Sequence, residues 1–207
     1  SAVSRSRIGM SRKDLGELIL VIGDLCIPNR AEGIPAALEK LLGANCVKYV
    51  LCTGNICSKE VLPKIQKFGS VVHIVRGDLD DEKELSYPFQ KTVKIGGFKF
   101  GLIHGHQIVP WGDTESLAAL QRKMGVDILI SGHTHNSEVV EYQGGWLINP
   151  GSATGAFNAT NTKSNASFLV LSVKSDEFTV FEYKLNGKKV LIKSRTLKKA
   201  TESLEKK

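Results

Sequence analysis

The chain has 207 residues, 42% hydrophobic and 24% charged, values ordinary for one globular domain with a sizeable core. No apolar run approaches the ~20 residues of a membrane span, and no apolar leader segment is present, which argues against a secreted protein. The net charge of +7 sits in the ends, with +2 over residues 1–17 and +7 over residues 184–207, leaving −2 between them. Nucleic-acid recognition wants a basic face on the folded domain, so no nucleic-acid partner is expected.

Ser1 to Lys13 is Ser- and Arg-rich without periodicity, so residues 1–17 read as a disordered extension. Leu18 to Gly23 is an apolar strand ending in Asp24-Leu25-Cys26. Pro35 to Leu42 reads as a helix, with proline in its first turn and Gly43 after its end. Val47 to Cys52 is a second strand, ending in Thr53-Gly54-Asn55. Ser58 is a candidate cap for a helix from Lys59 to Phe68, stopped by Gly69. Val71 to Arg76 leads as a third strand into Gly77-Asp78-Leu79-Asp80. Such β-α-β units imply a parallel sheet covered by helices.

The pattern then becomes strand-rich. Gln90 to Ile95 and Phe98 to Ile103 form a hairpin about Gly96-Gly97, and the second strand ends in His104-Gly105-His106. Asp113 caps a helix to Met124, followed by Gly125. The strand Asp127 to Ile130 stops at Ser131-Gly132, just ahead of His133-Thr134-His135. Ser137 to Tyr142 and Trp146 to Ile148 form another hairpin, and Asn149 to Gly155 a turn-rich loop. Phe168 to Val173 and Glu177 to Leu185 alternate as a third hairpin, which Val190 to Arg195 extends. The expected fold is α/β, a two-sheet β-sandwich flanked by helices over residues 18–197, with a basic tail over 198–207 that reads as solvated. The cysteines Cys26, Cys46, Cys52 and Cys57 lack zinc-ribbon spacing and read as free thiols.

Five strand endings carry Asp, Asn or His on glycine-containing turns. Open α/β sheets place their sites outside the carboxyl ends of the strands. The His133-x-His135 pair alone is weak, because histidines alternating on an exposed strand give the same pattern; the five endings together are a joint signal. Carboxylate, amide and imidazole donors suit Mn²⁺, Fe or Zn²⁺ better than Mg²⁺ or Ca²⁺. Two such ions about 3.5–4 Å apart would activate water and clamp a phosphate.

Asp24-Leu25-Cys26, Gly54-Asn55, Gly77-Asp78-Leu79, His104 and Gly132-His133-Thr134-His135 follow the order of the ligand motifs of the calcineurin-like metallophosphoesterases, and the chain resembles that family. The resemblance implies α-β-β-α layers and a metal site built from Asp24, Asn55, Asp78, His104, His133 and His135. The stronger position is expected at Asp78, His104 and His133, helped by Asn55. The weaker one is expected at Asp24 and His135, with Cys26 an open case. Cys26 stands where the pattern has a histidine, and a zinc-binding thiolate and a buried neutral thiol both fit. Asn55 stands where a carboxylate bridges the ions and brings no charge. Leu79 replaces the histidine that assists the leaving group, a loss of about 10²–10⁴ in rate. The expected cofactor is one or two weakly bound zinc or manganese ions, with a metal-free hydrogen-bond network as the other case.

The departures belong to longer motifs: Leu51-Cys52-Thr53-Gly54-Asn55, His73-Ile74-Val75-Arg76-Gly77-Asp78, Gly101 to Gln107, Pro110-Trp111-Gly112-Asp113 and Asn149 to Gly155. From about Leu18 to Arg195 these resemble the small core subunits of retromer, the endosomal coat that retrieves cargo receptors. That resemblance implies a non-catalytic scaffold docked on the large helical-solenoid subunit, vacuolar protein sorting-associated protein 35, and on retromer regulators. It implies a cytoplasmic protein that reaches endosomal membranes only through the complex. The alternative is a weak metal-dependent phosphodiesterase or phosphatase. Ile108-Val109-Pro110-Trp111 leaves the strand end as an apolar loop. Loops lie at the surface and contiguous exposed apolar residues mark contacts, so Ile108, Val109 and Trp111 are expected to bind a partner. The other reading for Trp111 is that it folds back over the sheet edge.

Overall fold

Strand β1 (Glu17–Ile22) is buried on both faces over its last four residues, which is why its sequence is a continuous apolar run. It pairs in parallel with β2 (Val47–Cys52), and β2 pairs in parallel with β3 (Gly69–Ile74). The structure, a computed structural model, describes residues 16–43, 47–159, 161–162 and 164–199. The expectation for residues 1–15 and the tail from 200 onward lies outside these residues.

Two sheets form. The first has six strands in the order β11-β10-β9-β1-β2-β3, where β9 (Ser167–Val173), β10 (Glu177–Asn186) and β11 (Lys189–Lys198) extend the parallel core through successive antiparallel pairings. The second has five strands in the order β4-β5-β6-β8-β7. Its members are β4 (Gln90–Ile95), β5 (Phe98–Ile103), β6 (Ile128–Ile130), β7 (Ser137–Tyr142) and β8 (Gly145–Pro150). Strands β5, β6 and β8 run parallel, with β4 and β7 as antiparallel edges.

The sheets face one another across a core that includes Val21, Leu51, Leu171, Phe100 and Ile130. Phe98, Trp146 and Phe178 meet edge to face there, with centroids 5.2–6.0 Å apart. Helix α1 (Ala36–Leu42) and the short α2 (Leu62–Gln66) cover the outer face of the first sheet, through Leu38, Leu42 and Ile65 against Leu20, Ile22 and Val50. Helix α3 (Thr114–Met124) covers the second, through Leu117 and Ala118 against Leu129 and Leu147. Asp113 caps α3 by accepting the Ser116 N–H, and Gly125 closes it in the left-handed conformation. The α-β-β-α layering matches the expectation from the sequence.

Three boundaries differ. The expected helix Lys59–Phe68 divides into a 3₁₀ turn, Lys59–Val61, and α2. Pro63 has no N–H to give Lys59, so the first turn closes instead with the Leu62 N–H on the Lys59 carbonyl. Gly69 opens β3 rather than ending a helix. At the C-terminal side β11 runs through Lys198, and Lys199 pairs with Asp127 at 2.9 Å, so ordered contacts continue past residue 197.

The parallel strands of both sheets point their carboxyl ends to one edge of the sandwich. Within the described residues no helix is long and apolar enough to cross a membrane.

Candidate metal centre

Asp24, Asn55, His104, His133 and His135 are all buried at that edge, and Asp78 is partly open. Asp24, Cys26, Asn55, Cys57, His133 and His135 all have left-handed backbones, with φ between 47° and 71°. This conformation is costly for residues with a Cβ and persists only where surrounding bonds over-determine it. Those bonds are present. The Asp24 N–H donates to the Gly54 carbonyl and the Cys26 N–H to that of Asn55, at 3.0 and 2.8 Å. Asp24 Oδ2 accepts the His133 N–H at 2.8 Å, joining β1 to the loop after β6. Gly132 is required there: a Cβ would meet Thr53 Oγ1 at 2.6 Å and Asp24 Oδ2 at 2.7 Å.

Two donor clusters form, Asp24 with Cys26 and His135, and Asp78 with His104 and His133. The donor atoms of each lie within 4.8 Å of one another. In the second cluster His104 Nε2 lies 2.9 Å from Asp78 Oδ1 and 3.2 Å from His133 Nδ1. His104 Nδ1 donates to the Thr53 carbonyl and His135 Nδ1 to that of Ala156, both at 2.7 Å. This turns each Nε2 toward the carboxylates, the orientation typical of metal-binding histidines.

Burial opposes the charge on Asp78, but hydrogen bonds from His104 and His133 outweigh it and hold the carboxyl well below the usual range. Burial likewise opposes the Asp24 carboxylate, which His104, His135 and the His133 N–H outweigh. Burial would lower His104 and His135, yet Asp24 and Asp78 raise His104, and Asp24 raises His135. The carboxylates and these two imidazoles thus favour one another's charged forms against the cost of burial. The donor set of carboxylate, imidazole and thiol fits a divalent cation in each cluster.

Asn55 sits between the clusters, but with its nitrogen inward. Its Nδ2 donates to Asp24 Oδ1 at 3.3 Å and to Asp78 Oδ1 at 3.1 Å. Its Oδ1 accepts the Leu79 N–H at 2.9 Å, which fixes which end is oxygen. In this arrangement the Asn55 oxygen is engaged by the Leu79 N–H, and the amide nitrogen ties the two carboxylates together.

Several residues do more than the sequence revealed. Asp80 is buried and accepts three backbone N–H groups, from Asn55, Cys57 and Gly77, at 2.8–2.9 Å. It clamps the loop after β2 to the loop after β3. Asn149 Nδ2 donates to the Gly132 carbonyl, Ser152 to that of Asp24 and Thr154 to that of Leu25, so the loop after β8 brackets the site. Only its turn composition was visible in the sequence.

The Cys26 thiol is pushed up by contact with the Cys57 thiol, by burial and by the Asp24 charge. Burial pushes Cys52 up to about 12. Beyond the centre, Trp111 packs edge-on against His133, with centroids 4.4 Å apart and planes at 86°, and is still 46% exposed. Val109 is 77% exposed, whereas Ile108 packs against the α3 layer. A cavity of about 430 Å³, lined by Trp111, Leu117, Thr134 and Asn149, lies beside the metal cluster and not over it.

The calcineurin-like phosphoesterase superfamily domain matches residues 18–176. Vacuolar protein sorting-associated protein 29 of Schizosaccharomyces pombe is 31% identical over 186 residues, covering 88% of this chain and 98% of that protein. The chain belongs to the Vps29 family. Vps29 of Cryptosporidium parvum superposes with a TM-score of 0.85 at 39% identity, covering 89% of this chain and 99% of that one. Vps29 of Entamoeba histolytica in complex with zinc superposes with a TM-score of 0.82 at 42% identity, covering 86% and 98%.

Proposed function

We propose that this Vps29-family chain is a non-catalytic subunit of retromer, docking on the large helical-solenoid subunit and acting in endosomal cargo retrieval. It reaches the endosomal membrane through that complex. The orientation of Asn55 carries the non-catalytic part. An enzyme of this fold needs an anionic oxygen bridging two cations; here an amide N–H₂ faces both carboxylates, and its oxygen is held by the Leu79 N–H. Leu79 also offers no proton to a leaving group.

Asp78, His104 and His133 form the first metal position of this reading, and Asp24, His135 and Cys26 the second. A cation held there would supply charge that ties together the loops after β1, β3, β5 and β6. His104 and His135 keep their Nε2 atoms presented by donating from Nδ1 to backbone carbonyls. Val109, with Trp111 beside it, presents apolar surface from the loop after β5. Exposed apolar groups next to a rigid strand end suit a docking anchor.

The second reading is a weak metal-dependent phosphoesterase, favoured by the presence of both donor clusters. Co-expression with the large helical-solenoid subunit tests the first. Co-elution of both chains as one species is expected. Separate elution, together with metal-dependent phosphodiester turnover abolished by Asp78→Ala, would establish the second.

A further inference from the structure

The two donor clusters differ in one atom. Asp78, His104 and His133 offer oxygen and nitrogen, whereas Asp24, Cys26 and His135 include a sulfur. Cys26 is fully buried, but its sulfur is not turned into an apolar core: it lies within 4.8 Å of a carboxylate oxygen and an imidazole nitrogen. Its left-handed backbone, φ 51°, and the bond from its N–H to the Asn55 carbonyl hold the backbone from which that side chain projects. The other two donors are equally constrained. Asp24 is held by the His133 N–H, and His135 donates from Nδ1 to Ala156, leaving its Nε2 3.4 Å from Asp24 Oδ1. One hard carboxylate, one borderline imidazole and one soft thiol converge here, which makes a built site.

Thiolate ligands favour zinc and other soft divalent cations, whereas manganese and magnesium prefer all-oxygen or oxygen-rich surroundings. We propose that Asp24, Cys26 and His135 form a thiolate site for zinc-class cations that discriminates against manganese and magnesium, so that the two positions of this centre hold different metals. The proposal rests on the metal-centre reading above and adds the class of ion. On binding, the Cys26 S–H bond is replaced by a sulfur–metal bond and its proton passes to water, with no change of oxidation state. Cys57 is the adjacent thiol but is not among the three converging donors, which makes it the internal control.

Cobalt(II) added to the full chain after chelator treatment tests this. Sulfur bound to cobalt gives an intense near-ultraviolet charge-transfer band that nitrogen and oxygen donors alone do not. The band is expected in the unmodified protein and in Cys57→Ser, and its loss in Cys26→Ser and Cys26→His. Zinc should abolish the band by displacement, and an excess of manganese should leave it. Cobalt uptake by the unmodified protein without the band overturns the proposal while the centre itself stands. No cobalt uptake overturns the proposal and the metal-centre reading together. A band that survives in Cys26→Ser, or vanishes in Cys57→Ser alone, also overturns it. The unmodified protein's spectrum decides the matter even where a Cys26 variant fails to fold.

Discussion

The backbone N–H of Leu79 donates to Oδ1 of Asn55 across 2.9 Å, so two of the residues that depart from the phosphoesterase pattern hold one another in place. The bond spans the loops after β2 and β3. It sets the amide so that its nitrogen reaches Asp24 and Asp78 at once. Asn55 thus joins two carboxylates that would otherwise repel.

Replacing Asn55 by Asp removes both donated bonds and puts a third carboxylate between two others. Hydrogen bonds to charged groups contribute about 1.5–3 kcal/mol each, so the metal-free variant is expected to melt clearly below the parent. Zinc should narrow the gap, because a cation relieves the new repulsion. Thermal melts with chelator and with zinc measure both; equal metal-free melting would show that the Asn55 bonds carry no stability.

Asp80 is expected to matter to folding more than any metal-binding residue. Asp80→Ala leaves three backbone N–H groups without their acceptor, and each buried unsatisfied donor costs about 1–3 kcal/mol. A urea midpoint well below that of Asp78→Ala is the expected outcome. A midpoint equal to the parent's would mean that water replaces the clamp.

Turnover of an activated phosphodiester with manganese is expected to match that of Asp78→Ala. Leu79→His should not lift it to enzyme rates of about 1–10³ s⁻¹, because Asn55 still presents nitrogen inward. A parent rate in that range, lost in Asp78→Ala, would make the protein an enzyme.

Thiol labelling separates the described cysteines. Cys52 is buried and its thiol is pushed up to about 12, so almost no thiolate exists at neutral pH. Cys26 is raised as well, by Cys57 first and then by burial. Brief alkylation of the native, metal-free protein should mark the half-buried Cys57 and spare Cys26 and Cys52. Mass spectrometry reads the sites, and early labelling of Cys52 would contradict its burial.

Strands such as β1, β6 and β8 were legible because they are largely buried on both faces and stop next to glycine turns, so apolar runs stop where the chemistry begins. The grouping of donors was legible too, since parallel strands deliver their ends to one edge. The helix at Lys59 was misread because one missing N–H, at Pro63, decides its first turn. Asp80 looked like one more acidic loop residue; its role depends on three N–H donors from two loops that only the fold brings together. The direction of the Asn55 amide is not written in its identity. Both ends of the group are possible until Leu79 supplies a donor on one side. The contact of Trp111 with His133 joins two loops whose approach depends on sheet order.

Titration calorimetry of the large helical-solenoid retromer subunit against the parent chain and Val109→Asp tests the scaffold reading most directly. Val109 is 77% exposed, so the substitution should change stability by no more than about 0.5 kcal/mol. Docking through this loop predicts tight binding by the parent and a loss of about 2 kcal/mol or more for the variant, as for an interface anchor. No binding by the parent, or equal binding by a folded Val109→Asp, would contradict it.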